Sequence, residues 1–166
     1  MKLRPVPVRL DELAAALTSD PSLLEEAHFL DQETGEILLL PERFPEIAEA
    51  EVHEVALRTG VPEEYLLLHL QQARENPQRF IYIEPLPSWK SYNLMEEFVY
   101  SLPPGRARDR LAEALSRRRP FRRFKDVLLD YPDLRKRWFE FQDEHERRWA
   151  LAWLAEHGLC PAEEEG

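Results

Sequence analysis

Leu134, Trp138, Phe141, His145, Trp149 and Ala152 follow one another at spacings of four, three, four, four and three. That is the α-helical period without a gap, so the chain must carry one long amphipathic helix with an aromatic stripe. Asp130 and Pro132 supply its start, Asp130 as cap, and Gly158 its stop. A stripe of this length has to be buried against other elements, and the segments preceding it read as helices. Ser88 is placed to cap a helix that follows the rigid Pro85-Leu86-Pro87 connector and ends at Leu102, with Tyr92, Met95, Val99 and Leu102 on one side. Pro103-Pro104-Gly105 breaks the chain. Arg106 to Leu115 follows with Ala107, Leu111, Ala114 and Leu115 facing inward, and a third piece from Pro120 carries Phe121, Phe124, Val127 and Leu128 as core residues.

The first half reads differently. Arg9 to Leu17 is a short amphipathic helix with Leu10, Leu13, Ala14 and Leu17 on one face, stopped by Ser19-Asp20-Pro21. Asp20-Pro21-Ser22 could open another helical turn reaching Ala27. His28 to Asp31 and Glu36 to Leu40 flank the turn Gln32-Glu33-Thr34-Gly35, which predicts a β-hairpin with Gly35 supplying a positive φ. Four successive apolar positions in the second strand predict that both its faces are covered. Glu46 to Thr59 reads both ways, as a helix on Val52, Val55 and Ala56 or as a strand around Val52. Pro62 to Glu75 is a helix bearing Tyr65, Leu66, Leu68, His69 and Ala73, closed by Asn76-Pro77. Arg79 to Glu84 is a third strand by its β-branched and aromatic content. The expected fold is therefore α+β: a small antiparallel sheet, the hairpin plus one further strand, covered by helices and followed by a C-terminal helical bundle. A single domain over 1–166 is expected, with an α+β part to about residue 86, an all-helical part over about 87–159 and a frayed tail at 160–166.

Composition supports a folded chain. The sequence has 166 residues, 43 % of them hydrophobic, enough to build a core without covalent staples. Cys160 is the only cysteine, so no intramolecular disulfide can form, which fits a reducing cytoplasm. No run approaches 18 apolar residues, so no membrane partner is expected. Abundant arginine, 14 prolines and asparagine only at Asn76 and Asn93 fit a bacterium with a GC-rich genome and a thermophile-like composition.

Several chemistries are absent. The chain has no glycine-rich phosphate loop, no dinucleotide fingerprint and no Gly-x-Ser-x-Gly elbow, and its histidines do not form His-Glu-x-x-His. One cysteine cannot build a zinc cluster. No cofactor, metal site or catalytic set is expected. Asp31, Glu33 and Glu36 form the best carboxylate cluster, able in principle to bind a divalent cation or to act as acid and base, but turn carboxylates usually satisfy backbone N–H groups instead. Ser88 lacks a sequence-adjacent base, Cys160 lacks basic neighbours, and His145 sits on the aromatic stripe as a core histidine would.

Electrostatics supplies the functional lead. Arg106, Arg108, Arg110, Arg117, Arg118, Arg119, Arg122, Arg123 and Lys125 face only Asp109 and Glu113 over the same stretch, in a chain of net charge -10. Guanidinium forks recognise phosphate, and aromatics beside them can stack on unpaired bases. Arg119, Arg122, Arg123 and Lys125 are the candidate anion contacts, with Trp89 or Tyr92 as stacking residues. The rival reading is a solvated face that pairs internally with the chain's surplus acids.

The segments Pro85-Leu86-Pro87-Ser88-Trp89, Met95-Glu96-Glu97-Phe98, Phe121-Arg122-Arg123-Phe124-Lys125-Asp126, Trp138-Phe139-x-Phe141 and Ala152-Trp153-Leu154 together resemble a bacterial family of unknown function. It is uncharacterised protein family one-five-eight of the UPF series. The hairpin Leu30-Asp31-x-x-Thr34-Gly35-Glu36 is similar to the N-terminal part of that family, and the resemblance covers most of Ala27 to Gly158. It implies no activity, cofactor or catalytic residue. Three functions are therefore weighed. The first is a non-enzymatic binding or regulatory module for an anionic partner, nucleic acid foremost. The second is a protein-interaction module or homo-oligomer. The third is a hydrolase using Asp31, Glu33 or Glu36 with Arg122 or Arg123 as an anion clamp.

Overall fold

The computed structural model describes residues 2–20 and 25–162. They form an α+β structure divided between two compact units, Met1–Pro85 with Ala150–Gly166, and Leu86–Trp149. The first unit is built on a three-stranded antiparallel sheet in the order β3-β2-β4, from β2 (Glu26–Asp31), β3 (Ile37–Pro41) and β4 (Phe80–Ile83). Its register pairs Phe29 with Leu38 on one side and with Tyr82 on the other. One face carries Ala27, Phe29, Leu38 and Leu40 into a core with Val52, Val55, Leu66 and Leu70. Those last four come from α2 (Val52–Thr59) and α3 (Glu63–Glu75), which cover the sheet. On the other face Leu30 and Ile83 are buried, and α1 (Leu10–Leu17) contacts β3.

The hairpin, the third strand and the helix ending at Asn76 are as the residue pattern predicts. One open reading is decided and three details differ. A short 3-10 turn at Glu49–Glu51 leads into α2, so Val52 is helical and not part of a strand. Leu39 remains exposed, so the outer face of β3 is only partly covered. Leu68 also points to solvent, because the buried side of α3 is Leu66, His69, Leu70 and Ala73. Finally, the expected helical turn reaching Ala27 falls partly on Pro21–Leu24, outside the described residues, while Glu26 and Ala27 already belong to β2.

A two-stranded parallel ladder has no counterpart in the sequence reading. β1 (Arg4–Val6) pairs with β5 (Leu159–Pro161), Arg4 against Leu159. The Ala162 N–H donates to the Val6 carbonyl at 2.8 Å and continues the ladder. Three-residue strands separated by most of the chain carry no periodic signal, which is why composition could not find them. The hairpin turn lies against the same N-terminal segment. Gly35 has φ +78°, and a Cβ there would stand 2.3 Å from the Pro7 carbonyl oxygen. Glycine is required twice over, for its conformation and for its lack of a side chain.

The second unit consists of α4 (Ser88–Ser101), α5 (Arg106–Ser116), α6 (Pro120–Leu128) and the first part of α7 (Pro132–Glu156). Its core joins Met95, Phe98, Leu111, Leu115, Phe124 and Trp138. Phe124 is fully buried and meets Trp138 edge-on at 5.0 Å, while Phe98 meets Trp138 at 5.3 Å. Such edge-to-face pairs add roughly 0.5–1.5 kcal/mol each beyond area burial. The stripe of α7 holds through Trp149. Beyond it the buried residues are Ala150, Trp153 and Leu154, which belong to the first unit, and Ala152 is exposed.

Two expected caps are used otherwise. Ser88 is already the first helical residue of α4, preceded by Pro87, and makes no capping bond. Asp130 turns its carboxylate onto Arg110 at 2.8 Å, and the Tyr131 carbonyl accepts the Arg135 N–H at the start of α7.

Candidate anion-binding surface

Helices α5 and α6 are joined through Arg117, Arg118 and Arg119. Arg119 sits in the left-handed region at φ 54°, the one non-glycine residue with positive φ among the described residues. A residue with a Cβ holds that conformation at a cost of about 1 kcal/mol, which turns the chain sharply into Pro120 at the first position of α6. The inward side of α6 is Phe124 and Leu128. The helical period therefore directs Arg122, Arg123 and Lys125 outward, and all three are exposed, as is Arg119. Phe121 is exposed too, at 37 %, and is not the core knob expected from its three-residue spacing to Phe124. It shares the stripe of Leu128, seven residues on, but lies in the first turn of the helix, two turns short of that buried residue.

Of the nine cations between Arg106 and Lys125, Arg110 and Arg117 form ion pairs, with Asp130 at 2.8 Å and with Glu113 at 2.5 Å. Among the described residues no carboxylate lies within 4.0 Å of the charged nitrogens of Arg106, Arg108, Arg118, Arg119, Arg122, Arg123 or Lys125. Arg123 is nevertheless held in place. Its Nε donates to the Arg118 carbonyl at 2.8 Å, which orients the guanidinium and leaves both Nη groups for an outside acceptor. It borders an open groove of about 310 Å³ between α5 and α6, lined also by Arg110, Arg117, Glu113 and Asp126. The first turn of α6 contains no acid, so the positive end of its dipole adds to these charges and is not offset by them.

The two proposed stacking residues are placed unlike each other. The Tyr92 hydroxyl donates to the Leu115 carbonyl at 2.9 Å, and its half-buried ring packs on the bundle core, where it braces α4 against the end of α5. Trp89, one turn nearer the start of α4, is 58 % exposed. The Tyr92 tether thus sets the beginning of α4 beside the residues that lead into Arg117–Arg119.

The carboxylate cluster of the hairpin turn is engaged within its own unit. Asp31, 2 % exposed, accepts from Arg79 Nε at 3.0 Å and Nη2 at 3.1 Å, and from the Glu33 N–H at 3.0 Å. Glu33 holds the third Arg79 nitrogen at 3.0 Å. Burial alone would push the Asp31 carboxyl up. The hydrogen bonds from Arg79, the Glu33 N–H and Thr34, with the guanidinium charge, outweigh burial and hold it below its ordinary value. Nothing local in the sequence names Arg79 as the partner; the strand register, which sets Asp31 against Phe80, brings the two together. Among the described residues no group of three His, Cys, Asp or Glu side chains is arranged to hold a metal ion, and no helix is long and apolar enough to cross a membrane.

His69, His145 and His157 each donate Nδ1–H to the carbonyl four residues back, at 2.7, 2.9 and 2.9 Å, since a carbonyl can only accept. Each stacks on the aromatic ring at that position, Tyr65, Phe141 or Trp153, at 4.2–4.3 Å. His145 is thereby a packed member of the stripe, its Nε2 3.9 Å from Glu97.

Comparison with known proteins adds kinship without chemistry. The model of the Uncharacterised protein family (UPF0158) matches residues 3–166. A Pseudomonas aeruginosa protein named for the same family is 34 % identical over 160 residues, covering 96 % of this chain and 89 % of that protein. No solved structure matches.

Proposed function

The chain belongs to the Uncharacterised protein family (UPF0158), whose name assigns no activity, and from that premise we propose that it is a non-enzymatic cytoplasmic binding module for an anionic partner, nucleic acid first. One observation carries this reading: seven of the nine cations between Arg106 and Lys125, five of them in the α5–α6 junction and α6, are without an acidic neighbour in ion-pair range among the described residues, in a chain of net charge -10. Crowding like charges at the positive end of a helix costs free energy that a bound polyanion offsets. Arg119, Arg122, Arg123 and Lys125 make the phosphate contacts, with Arg123 already oriented for a two-pronged bond. Trp89 supplies the exposed ring.

Titration with generic single- and double-stranded nucleic acid at low and moderate salt tests the proposal. Four phosphate contacts give a log–log salt slope of roughly -3 on a single strand. Binding that is absent, or indifferent to salt, ends it. A hydrolase using the hairpin carboxylates is disfavoured because Asp31 and Glu33 already share Arg79. A protein-docking role draws on exposed apolar side chains such as Leu57 on α2 and Leu67 and Leu68 on α3, and sedimentation at several concentrations tests it for self-association.

A further inference from the structure

The side of α6 turned away from α5 carries a second feature. Phe121, Lys125 and Leu129 recur at four-residue intervals, so they form one row along the helix, with Arg122 beside it. All four are exposed. The row runs into an open cavity of about 350 Å³ at the α6–α7 corner, lined by Leu129, Pro132, Arg135, Lys136 and Phe139. Leu129 is 63 % and Phe139 43 % exposed, a large apolar surface for a face so rich in charge. The Arg135 guanidinium lies over the Phe139 ring, 5.0 Å from its centroid. Arg122, Lys125, Arg135 and Lys136 have no carboxylate in ion-pair range among the described residues. Along α7 the acids nearest in sequence are Asp133, in the first turn between Pro132 and Arg135, and Glu140 and Asp143, which follow Phe139.

Two exposed phenyl rings set among four unpaired cations have a specific complement. Duplex DNA offers phosphates but keeps its bases stacked inside, so it would leave both rings in water. A single strand offers phosphates to the cations and unpaired base faces to the rings and to the Arg135 guanidinium. An acidic peptide would use the cations and leave the rings unmatched. Resting on the anion-binding reading above, we propose that this α6–α7 face binds single-stranded nucleic acid, with Phe121 and Phe139 as stacking platforms and Arg122, Lys125, Arg135 and Lys136 following the sugar–phosphate chain.

The test uses the full chain and fluorescein-labelled oligothymidylate and oligouridylate of about fifteen nucleotides, beside a duplex of equal length, read by anisotropy at two salt concentrations. The single strands are expected to bind more tightly than the duplex. Joint replacement Phe121→Leu and Phe139→Leu should weaken single-strand binding roughly tenfold or more while leaving the salt slope unchanged. Phe121→Trp with Phe139→Trp should retain it. Arg122→Ala with Lys125→Ala should make the slope shallower by about one and a half. Circular dichroism melts of the leucine variant guard against a folding defect, which exposure of both rings makes unexpected. If duplex and single strand bind alike and the leucine variant is indifferent, the single-strand assignment is overturned while a general anion site stands. If only an acidic peptide binds, or no nucleic acid does, both this assignment and the nucleic-acid reading fall.

Discussion

Asp31 and Arg79, separated by 48 positions, meet through two hydrogen bonds of 3.0 and 3.1 Å, with the carboxylate almost wholly out of water. The pair fastens the end of β2 to the start of β4, and the same guanidinium collects Glu33 from the turn. Asp31→Asn and Arg79→Met each leave one buried partner without its complement, and each should cost about 3 kcal/mol in urea unfolding. A double variant that is no less additive than two unrelated substitutions would show that the two side chains act separately.

The same pair governs acid sensitivity. Because the folded-state pKa of Asp31 is depressed, its contribution to stability is present above the unfolded carboxyl range and is lost as pH falls through the lower, folded value. Unfolding free energy should therefore drop steeply below about pH 4. The Asp31→Asn variant should show a flatter profile over that window, measured by denaturant titration at a series of pH values.

Gly35 and Gly60 both have positive φ, +78° and +80°, but they should respond differently to asparagine. Asparagine tolerates the left-handed region, and nothing lies within 4 Å of a Cβ at Gly60, so Gly60→Asn should be close to neutral. At Gly35 the new Cβ meets the Pro7 backbone, and Gly35→Asn should lower stability by about 2 kcal/mol or more. Thermal melts of the two variants decide the matter.

Arg119 offers a test in which stability and binding separate. Arg119→Gly removes the left-handed strain and should raise stability by about 0.5 kcal/mol, less than the full strain because glycine gains freedom in the unfolded chain. It also removes one cation, so affinity for nucleic acid should fall and the salt slope should shrink by about 0.7 on a single strand. Equal or stronger binding by the glycine variant would remove Arg119 from the contact set.

Tyr92→Phe removes the hydroxyl that donates to the Leu115 carbonyl and lies beside the Glu96 carboxylate. A loss of about 1 kcal/mol is expected, with nucleic-acid affinity unchanged, because the ring is committed to the core. A marked fall in affinity with intact stability would instead make the tyrosine a contact.

Legibility in the sequence followed the range of the interaction. Elements with a period of their own were readable: the stripe Leu134 to Trp149, the hairpin around Gly35, the strand after Arg79 and the breaks at Pro103-Pro104-Gly105. Pairings that depend on distant residues were not. Arg79 has no local signature that names Asp31 as its partner, and Arg4 none that names Leu159. The candidate surface fell between these cases. Charge density between Arg106 and Lys125 was visible, but which cations lacked acids required coordinates, since Asp130 and Glu113 could have served several of them. Phe121 departs from the pattern because a three-residue spacing to Phe124 suits a buried helix face, whereas burial on α6 begins only at Phe124, one turn after Phe121.

The ladder between β1 and β5 has a consequence for biosynthesis. Leu86–Trp149 is one uninterrupted stretch, so all its internal partners are available once that stretch has left the ribosome. The other unit must wait: Arg4 emerges early, and its neighbour in the ladder, Leu159, is translated more than a hundred and fifty codons later. The nascent protein therefore carries an unsealed β1 until Leu159 has emerged, and the Leu86–Trp149 unit is the first to become protease-resistant.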